Sequence, residues 1–353
     1  MADWSSVQRG GGKPSILLIG IGAMGGVFAA RLIQAGYAPT LVAGARVAGA
    51  INSRGITLRA DGQTLHFDTR AHASVGDIPD NTSFDLVLLL TKAQHVVEAA
   101  RASAARTHDS SVFIALQNGI VEPAVAEVVG SERIVYSLLN WGASMHEPGV
   151  YERTAGIGTV IGERDGRITP RVEAAATILN CAMPVTISTN ILGAQWAKLQ
   201  MNCAVTSFGA LLGTPLAEIL TSEEARHVFV DVCREVLDVA DAEGVRLETL
   251  AADPYAPRDA SLDELDGWFK RLVGVYGGSV PSIRQDIERG RTTEIDFLTG
   301  HVADRAAAHS IRTPLCAAIT RMIHEVEAGR RRLGMANLAE LRSLRSTMRD
   351  AMS

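Results

Sequence analysis

One stretch decides the fold of this chain: Ser15-Ile16-Leu17-Leu18-Ile19-Gly20-Ile21-Gly22-Ala23-Met24-Gly25. Its first five residues are an apolar run, which is typical of a strand buried on both faces. The next six match the pattern GxGxxG, and residues 27–35 have helical spacing that stops at Gly36. A strand, a glycine loop and a helix in this order predict the first unit of a dinucleotide-binding domain.

The candidate phosphate loop consists of Gly20, Ile21, Gly22, Ala23, Met24 and Gly25. In such loops the first glycine allows a tight turn, the second lets the backbone approach a pyrophosphate, and the third lets helix and strand pack closely. Amide groups at the helix start then face the phosphates. The alternative is a tight glycine turn that binds nothing. The complete order of strand, loop, helix and second strand argues against it.

The choice between NAD and NADP is predicted from the lack of an acidic residue after the second strand. NAD sites hold the ribose 2′-hydroxyl with an acidic residue about 20 positions past the loop. Between Asp3 and Asp61 this chain has no acidic residue, and the second predicted strand, at 39–43, is followed by Arg46. A guanidinium suits a 2′-phosphate, so the sequence favours NADP(H). A plain surface charge is the alternative for Arg46.

The chain changes pattern near residue 190. Before it, apolar strands alternate with helical segments, which predicts a parallel sheet covered on both faces. A β-hairpin is also expected around Asp61-Gly62. After it, helical spacing dominates. We therefore expect an α/β fold with a tail at 1–13, an NADP-binding Rossmann-type doubly wound domain at 14–189 and an all-helical catalytic domain at 190–353, separated by a cleft.

Composition narrows the class of protein. The 353 residues carry a formal net charge of -5, which gives no reason to expect nucleic acid or an anionic membrane as partner. The N-terminal segment contains three consecutive glycines, Gly10 to Gly12, and is predicted to be a flexible tail. It lacks the apolar core that a signal peptide requires. No set of His, Asp and Glu residues has the spacing that metal ligands require, so no metal is expected. Four widely separated cysteines fit buried, reduced thiols in a cytoplasmic protein: Cys181, Cys203, Cys233 and Cys316.

Two charged residues in apolar surroundings are the candidate catalytic groups. Lys198 lies in the run Trp196-Ala197-Lys198-Leu199, and Glu294 lies in a helix-like stretch at 291–300. Carbonyl reduction needs a proton donor within hydrogen-bond reach of the oxygen, and we assign that role to Lys198. Glu294 would orient the lysine or accept a proton from a substrate hydroxyl. Taken alone, each residue is more typical of a charged surface position.

Three polar residues complete the predicted site. Asn202 follows Lys198 by one helical turn and therefore shares its face. Lys92 and Asn118 each follow a predicted strand of the first domain, where cofactor and substrate should meet. Ordinary turn chemistry is the alternative for Lys92 and Asn118, since Asn-Gly is a common turn pair.

The motifs together resemble the ketopantoate reductase (2-dehydropantoate 2-reductase) family, whose helical domain is similar to that of 6-phosphogluconate dehydrogenases. The resemblance covers about residues 14–335. It rests on five segments: Gly20 to Gly25, Thr91-Lys92-Ala93, Leu116-Gln117-Asn118-Gly119, Trp196-Ala197-Lys198 with Asn202, and Ser282 through Gly300.

The resemblance implies a reaction and a set of roles. NADPH would deliver hydride to the 2-keto group of ketopantoate, a step towards pantothenate. Lys198 would be the general acid, and Glu294 would bind the substrate hydroxyl. Asn118 and Lys92 would lie near cofactor and substrate, while Asn202 and Ser282 would bind substrate. Asp296 also matches the family pattern and is interpreted as structural, through a hydrogen bond to a helix.

Two departures from the family fall on expected substrate contacts, where Thr206 and Ser279 replace asparagines. A hydroxyl is shorter than an amide and lacks its paired donor and acceptor. Three functions therefore remain: a ketopantoate reductase acting on ketopantoate or another 2-keto acid, a related reductase of a different carbonyl or imine, and a non-catalytic dinucleotide-binding regulator. A small-molecule keto acid is the expected partner, and a monomer or a homodimer is compatible with the sequence.

Overall fold

The computed structural model describes Trp4 and residues 13–248, 260–278 and 280–350. The chain divides into two compact units, Met1–Ile191 and Leu192–Ser353. Residues 1–3 and 5–12 of the predicted tail, the predicted loop at 253–257 and Ser279 lie outside the described residues. The Trp4 indole donates a hydrogen bond to the Ser110 carbonyl at 3.1 Å. The Lys13 ammonium donates to the Gly36 carbonyl at 2.7 Å, so Trp4 and Lys13 are both tied to the first unit.

Ten strands of the described part of the first unit form one sheet, in the order β4-β3-β9-β8-β7-β6-β1-β2-β5 with β10 beside β9. Their bounds are β1 Ile16–Ile19, β2 Thr40–Val42, β3 Ile56–Ala60, β4 Gln63–Phe67, β5 Ala71–His72, β6 Phe84–Leu89, β7 Thr107–Ala115, β8 Ile134–Glu147, β9 Val150–Gly162 and β10 Val185–Ile187. The unit also contains the helices α1 Ala23–Gln34, α2 Ala45–Arg54, α3 Val96–Ala104, α4 Glu122–Val129 and α5 Pro170–Leu179.

The sheet is mixed, whereas the sequence predicted a parallel one. Strands β5, β2, β1, β6, β7 and β8 pair in parallel, as expected of strands joined by helices. The antiparallel pair β8–β9 is added because Pro148 and Gly149 reverse the chain, with Gly149 at φ +89°. The predicted hairpin is confirmed: Asp61 and Gly62 have φ of 55° and 72°, the signs of a type I′ turn, and connect β3 to β4.

The described part of the second unit is helical, as the sequence predicted. Its helices are α6 Ile191–Met201, α7 Gly209–Leu212, α8 Leu216–Ile219, α9 Glu223–Ala242, α10 Asp266–Tyr276, α11 Ser282–Glu288, α12 Thr299–Ala308, α13 Pro314–Glu327 and α14 Leu338–Asp350. Helix α9 begins after Ser222, whose hydroxyl accepts from the Ala225 amide at 3.3 Å. Helix α13 begins with Pro314, which needs no amide partner in the first turn.

A π-helical segment, Asn202–Phe208, continues α6 directly into α7. Such wider turns are rare and are found most often at functional sites. Phe208 ends the segment and packs edge-on against Phe229 of α9, with the ring centroids 6.2 Å apart. Phe229 also contacts Trp268 and Phe269 of α10. The π segment is therefore fixed at one end by an aromatic core.

The apolar pattern around Glu294 suggested a continuous helix, but the structure has none there. Glu294 precedes a short 3₁₀ turn, Ile295–Phe297, and α12 begins only at Thr299. The Phe297 amide donates to the Glu294 carbonyl at 3.0 Å. Ile295 and Leu298 are buried because the compact turn packs against α12 and α13. This burial produces an apolar pattern in the sequence that resembles that of a helix.

Candidate functional site

The glycine loop connects β1 to α1, and each glycine has a distinct environment. Gly20 has φ +102°, and a Cβ there would lie 2.4 Å from the Thr91 amide nitrogen. A Cβ on Gly25 would lie 2.0 Å from the Gly20 carbonyl oxygen, whereas one on Gly22 would meet no atom within 4 Å. Gly20 and Gly25 are thus required by the turn and its packing. Gly22 leaves open space at the N-terminus of α1, where amide groups favour an anion.

Tyr151 of β9 supports this loop from below. Its phenol donates to the Ile21 carbonyl at 3.2 Å, and its ring occupies the space that a side chain on Gly26 would fill. Tyr151 is fully buried, and burial raises its pKa to about 12. The phenol therefore keeps its proton at physiological pH and remains a hydrogen-bond donor to the loop.

Two orphaned polar atoms lie at the carboxyl ends of β6 and β7. The side-chain amide nitrogen of Gln117 donates to the main-chain carbonyls of Leu89 and Thr91, at 2.9 and 3.1 Å. The Gln117 Oε1 and Thr91 Oγ1 atoms are buried and have no hydrogen-bond partner within the described structure. Buried polar atoms are normally paired, so these two atoms mark a place for a polar ligand. The sequence interpretation assigned no role to either residue, although both stand in polar segments directly after buried strands.

The predicted first-unit residues gather at the same edge of the sheet. Strands β1, β6 and β7 pair in parallel with Ile19, Leu89 and Ala115 near their carboxyl ends. Lys92 and Asn118 follow β6 and β7, and both are half-buried. Because parallel strands end at one edge, both residues lie on the edge that carries the glycine loop.

Arg46 lies in the first turn of α2, which follows β2, and its side chain is exposed. The Gly20 amide donates to the Val42 carbonyl at 2.9 Å, so the end of β2 adjoins the glycine loop. Within the first turn of α2 there is no acidic residue. The first turn of α2, just after β2, therefore offers a positive charge where NAD-specific sites carry a carboxylate.

These features fit a dinucleotide on the first unit. Gly22 leaves room for the pyrophosphate, the α1 amides face that room, and the Thr91 and Gln117 oxygens lack partners along the same edge. A hydroxyl and a carboxamide oxygen are suitable partners for the polar groups of such a ligand. The fit rests on backbone shape and orphaned atoms together rather than on the glycine motif alone.

In the second unit, one row of polar residues reaches solvent from an otherwise buried helix. From Gly193 to Leu212 every residue is buried except Lys198, Asn202 and Thr206, which are half-buried. They are spaced four residues apart across the junction of α6 and the π segment, so they share one side. An amine, an amide and a hydroxyl thus form the accessible surface of this element.

The Glu294 segment packs near the helix that bears Lys198. Glu294 is only 7% exposed. Trp196 of α6 contacts His301 of α12, with the ring centroids 6.0 Å apart. Burial, and then the charge of Arg305, lowers the pKa of His301 to about 4. This histidine is neutral at physiological pH and joins the two segments as an aromatic ring.

Ser282 is exposed and begins α11, which packs against the π segment. The Pro281 ring lies 3.9 Å from the place of a Cβ on Gly209, and the Arg284 guanidinium donates to the Gly213 carbonyl at 3.0 Å. These contacts bring the start of α11 close to the element that carries Asn202 and Thr206. Ser279, predicted to join them, is outside the described residues.

Across the described ranges, no group of three or more His, Cys, Asp or Glu residues is arranged to hold a metal ion. Among the helices that the structure describes, none combines the length and apolar character that crossing a bilayer requires.

Known protein families match both units. The family model "Ketopantoate reductase PanE/ApbA" matches residues 16–166, and "Ketopantoate reductase PanE/ApbA C terminal" matches residues 190–327. A 2-dehydropantoate 2-reductase from Pyrococcus horikoshii is 30% identical over 305 residues, which cover 85% of this chain and 93% of that protein. Another from Pyrococcus abyssi is 27% identical over 315 residues, which cover 89% and 98%.

Solved structures show the same fold. A PanE/ApbA family ketopantoate reductase from Ralstonia eutropha JMP134 aligns with a TM-score of 0.77 and 25% identity, over 90% of this chain and 99% of that one. D-mandelate dehydrogenase, solved with NADH and anilino(oxo)acetate, aligns with a TM-score of 0.76 and 22% identity, over 89% and 98%. The shared fold is a Rossmann-like domain followed by a helical domain.

Proposed function

The chain belongs to the ketopantoate reductase family of oxidoreductases, and from this premise we propose that it reduces 2-dehydropantoate (ketopantoate) to pantoate with NADPH. The observation that carries the proposal is the accessible row Lys198, Asn202 and Thr206 on an otherwise buried helix. A lysine at the end of a buried helix, beside an amide and a hydroxyl, offers proton donation and substrate binding together.

Lys198 is assigned the proton transfer. Hydride arriving at a ketone carbon leaves negative charge on the oxygen, and an ammonium near that oxygen supplies the proton. Trp196 and Leu199, which flank Lys198 in the sequence, are buried, whereas Lys198 is half-buried and accessible to a ligand. Glu294, buried in the neighbouring segment, would accept a hydrogen bond from the substrate hydroxyl and help to orient the lysine.

The remaining polar residues would hold the keto acid. Asn202 and Thr206 present an amide and a hydroxyl from the accessible row, and Ser282 lies on the adjacent helix. We keep Ser279 and Asn118 as further proposed substrate contacts from the sequence. Thr206 has a shorter reach than an amide, which favours a substrate able to approach the helix closely.

NADPH is the proposed cofactor, and when bound it supplies the hydride. The residues from Gly20 to Gly25 would cradle its pyrophosphate, with Lys92 and Asn118 along the same edge. Arg46 would pair with the 2′-phosphate, because it is exposed in the first turn of α2 and no carboxylate competes in that turn. Thr91 and Gln117 would each give an oxygen partner to the cofactor.

We further propose that the protein works in the cytoplasm, on a step towards pantothenate, as a monomer or homodimer. The four cysteines are free thiols, and three of them, Cys203, Cys233 and Cys316, are buried. Unpaired buried thiols are typical of a reducing compartment.

The test is oxidation of NADPH, followed by its absorbance, with ketopantoate beside a panel of other 2-keto acids. Rapid turnover of ketopantoate would support the proposal and show that Thr206 is tolerated. Turnover of another keto acid alone would favour the related reductase. Cofactor binding without turnover of any compound would favour a regulator and overturn the proposal.

A further inference from the structure

The segment that carries Glu294 is attached to α13 on both sides of that residue. The Glu327 Oε1 atom accepts the Thr293 amide at 2.8 Å, and the His324 Nε2 atom lies 2.7 Å from Asp296 Oδ1. Thr293 and Asp296 flank Glu294, which is buried. The position of Glu294 is therefore set by two side chains of one helix.

His324 connects these two attachments to each other. Its Nδ1 atom lies 2.9 Å from Glu327 Oε2, while its Nε2 atom faces Asp296. A neutral imidazole carries one N–H and can donate to only one of two carboxylates, whereas the imidazolium donates to both. The chain Asp296–His324–Glu327–Thr293, here called the histidine brace, is complete only when His324 is protonated.

His324 also borders a groove between α12 and α13 that other charged residues line. The groove has a volume of about 450 Å³ and is also lined by Asp304, Arg321, Glu325 and Arg330. Arg321 pairs with Glu325 at 2.5 Å and also with Glu340. Burial lowers the pKa of His324, but hydrogen bonds and charges from Glu327 and Asp296 outweigh this and raise it.

We propose that His324 is a positioning residue for Glu294, and that the protonated brace holds the Glu294 segment in its productive geometry. This inference rests on the proposed function, since it assigns Glu294 to the site. The effect of His324 passes through the Glu294 segment, to which its imidazole is attached at Asp296. Small displacements of a group that orients substrate reduce rates strongly.

The sign of the pH effect follows from the direction of the shift. Because the pKa of His324 is raised by folding, its contribution is complete below the ordinary histidine value of about 6.5. The contribution is lost as pH rises through the raised value. We therefore expect the value of kcat/KM to decline as pH rises through the raised pKa of His324, together with loosening of the Thr293 amide.

The first arm of the test does not depend on turnover. Amide hydrogen exchange of the peptide around Thr293 would be compared in the wild type, H324Q and the control H309Q. His309 is a matched control, since it faces Glu243 at 2.8 Å in the same unit and Glu243 keeps Arg305 as a partner. We expect about tenfold faster exchange in H324Q only. Equal exchange in all three proteins at pH of about 6 would overturn the brace.

The second arm measures kcat/KM against pH with the keto acid that the wild type turns over. H324Q should lose activity and the decline at rising pH. D296N should move the decline to lower pH, because a carboxylate that raises the pKa of His324 is removed, whereas D304N, on the same groove, should not. Unchanged profiles in H324Q and D296N would overturn the positioning role. If the wild type turns over no keto acid, the proposed function fails, and the exchange experiment still decides the brace.

Discussion

The phenol of Tyr151 donates a hydrogen bond to the main-chain carbonyl of Ile21, 3.2 Å away in the glycine loop. Tyr151 is the second residue of β9, the strand that follows the β8–β9 turn, and lies 130 residues after Ile21 in the sequence. The antiparallel extension of the sheet therefore supports the cofactor loop directly, because one buried ring fills the space beside Gly26 and one hydroxyl fixes Ile21.

Replacing Tyr151 by Phe should keep the ring packing and remove this hydrogen bond. A buried carbonyl without its partner costs about 1–3 kcal/mol, so we expect the free energy of unfolding to fall by that amount. Cofactor affinity should fall by a few-fold as the loop loosens. Urea unfolding and fluorescence titration with NADPH measure the two effects. Unchanged stability would mean that the Ile21 carbonyl finds another partner.

The glycines of the loop should separate into two groups when each is replaced by alanine. G22A places a methyl group in open space, so the fold should be retained while NADPH binds at least about tenfold more weakly. G25A forces a Cβ against the Gly20 carbonyl and should destabilise the fold by about 1–3 kcal/mol. Thermal unfolding and NADPH titration of both variants test this. An equally stable G25A protein would contradict the packing argument.

Lys198→Ala should remove the proton donor and leave the cofactor loop intact. We expect kcat/KM to fall by about 10²–10⁴-fold, with the dissociation constant for NADPH changed by less than about threefold. Steady-state kinetics and equilibrium titration give the two numbers. Near-normal turnover would exclude Lys198 as the general acid, and parallel loss of cofactor binding would point to misfolding instead.

Arg46→Ala should distinguish the two dinucleotides. A hydrogen bond to a charged group contributes about 1.5–3 kcal/mol, so NADPH affinity should fall by roughly 10–100-fold. NADH lacks the 2′-phosphate and should bind almost as before. Titration of both cofactors against wild type and variant measures the ratio. Equal weakening of both would remove Arg46 from the phosphate site.

Glu235 gives a prediction about pH and stability. Its buried carboxylate accepts the amides of Leu315 and Cys316, both at 2.8 Å, at the start of α13. Burial, which outweighs those hydrogen bonds, raises its pKa from 4.5 to about 7. The folded protein therefore holds a proton that the unfolded chain releases, so this contribution to stability is lost as pH rises from 4.5 towards 7.

Glu235→Gln removes that titration. The free energy of unfolding, measured by urea at pH of about 5 and 7.5, should change less with pH in the variant than in the wild type. The variant also loses one acceptor at the start of α13, which lowers its stability by about 1–3 kcal/mol at the lower pH. The difference from the wild type should shrink at the higher pH, where the wild type bears the cost of a buried charge. Identical pH slopes would show that Glu235 does not titrate in this range.

The local elements of this fold were predictable from the sequence. The strand before Gly20, the turn at Asp61-Gly62 and the starts of α9 and α13 depend on residues within a few positions of each other. Their conformations follow from φ preferences, caps and apolar spacing. The fold class was predicted for the same reason, and it agrees with the family models that match the two units.

The parts that were not predictable depend on contacts distant in sequence. Tyr151 reaches Ile21, and His324 reaches Asp296, only after the chain has folded, and no periodic pattern records either contact. The strands β8 and β9 add antiparallel pairing at a turn that the alternation of strands and helices does not reveal. The assigned roles of Lys198 and Glu294 stay predictions, because their chemistry depends on ligands as well as on burial.

The π-helical winding of Asn202–Phe208 makes this part of the protein sensitive to chain length. A wider turn holds one residue more than an α-helical turn, as if a single residue had been inserted. Deletion of one residue would let the segment rewind, and each later position would rotate by about 100°. Another side chain would then face outwards in place of Thr206. A one-residue deletion can therefore change the accessible polar surface of this segment without any substitution of the polar residues themselves.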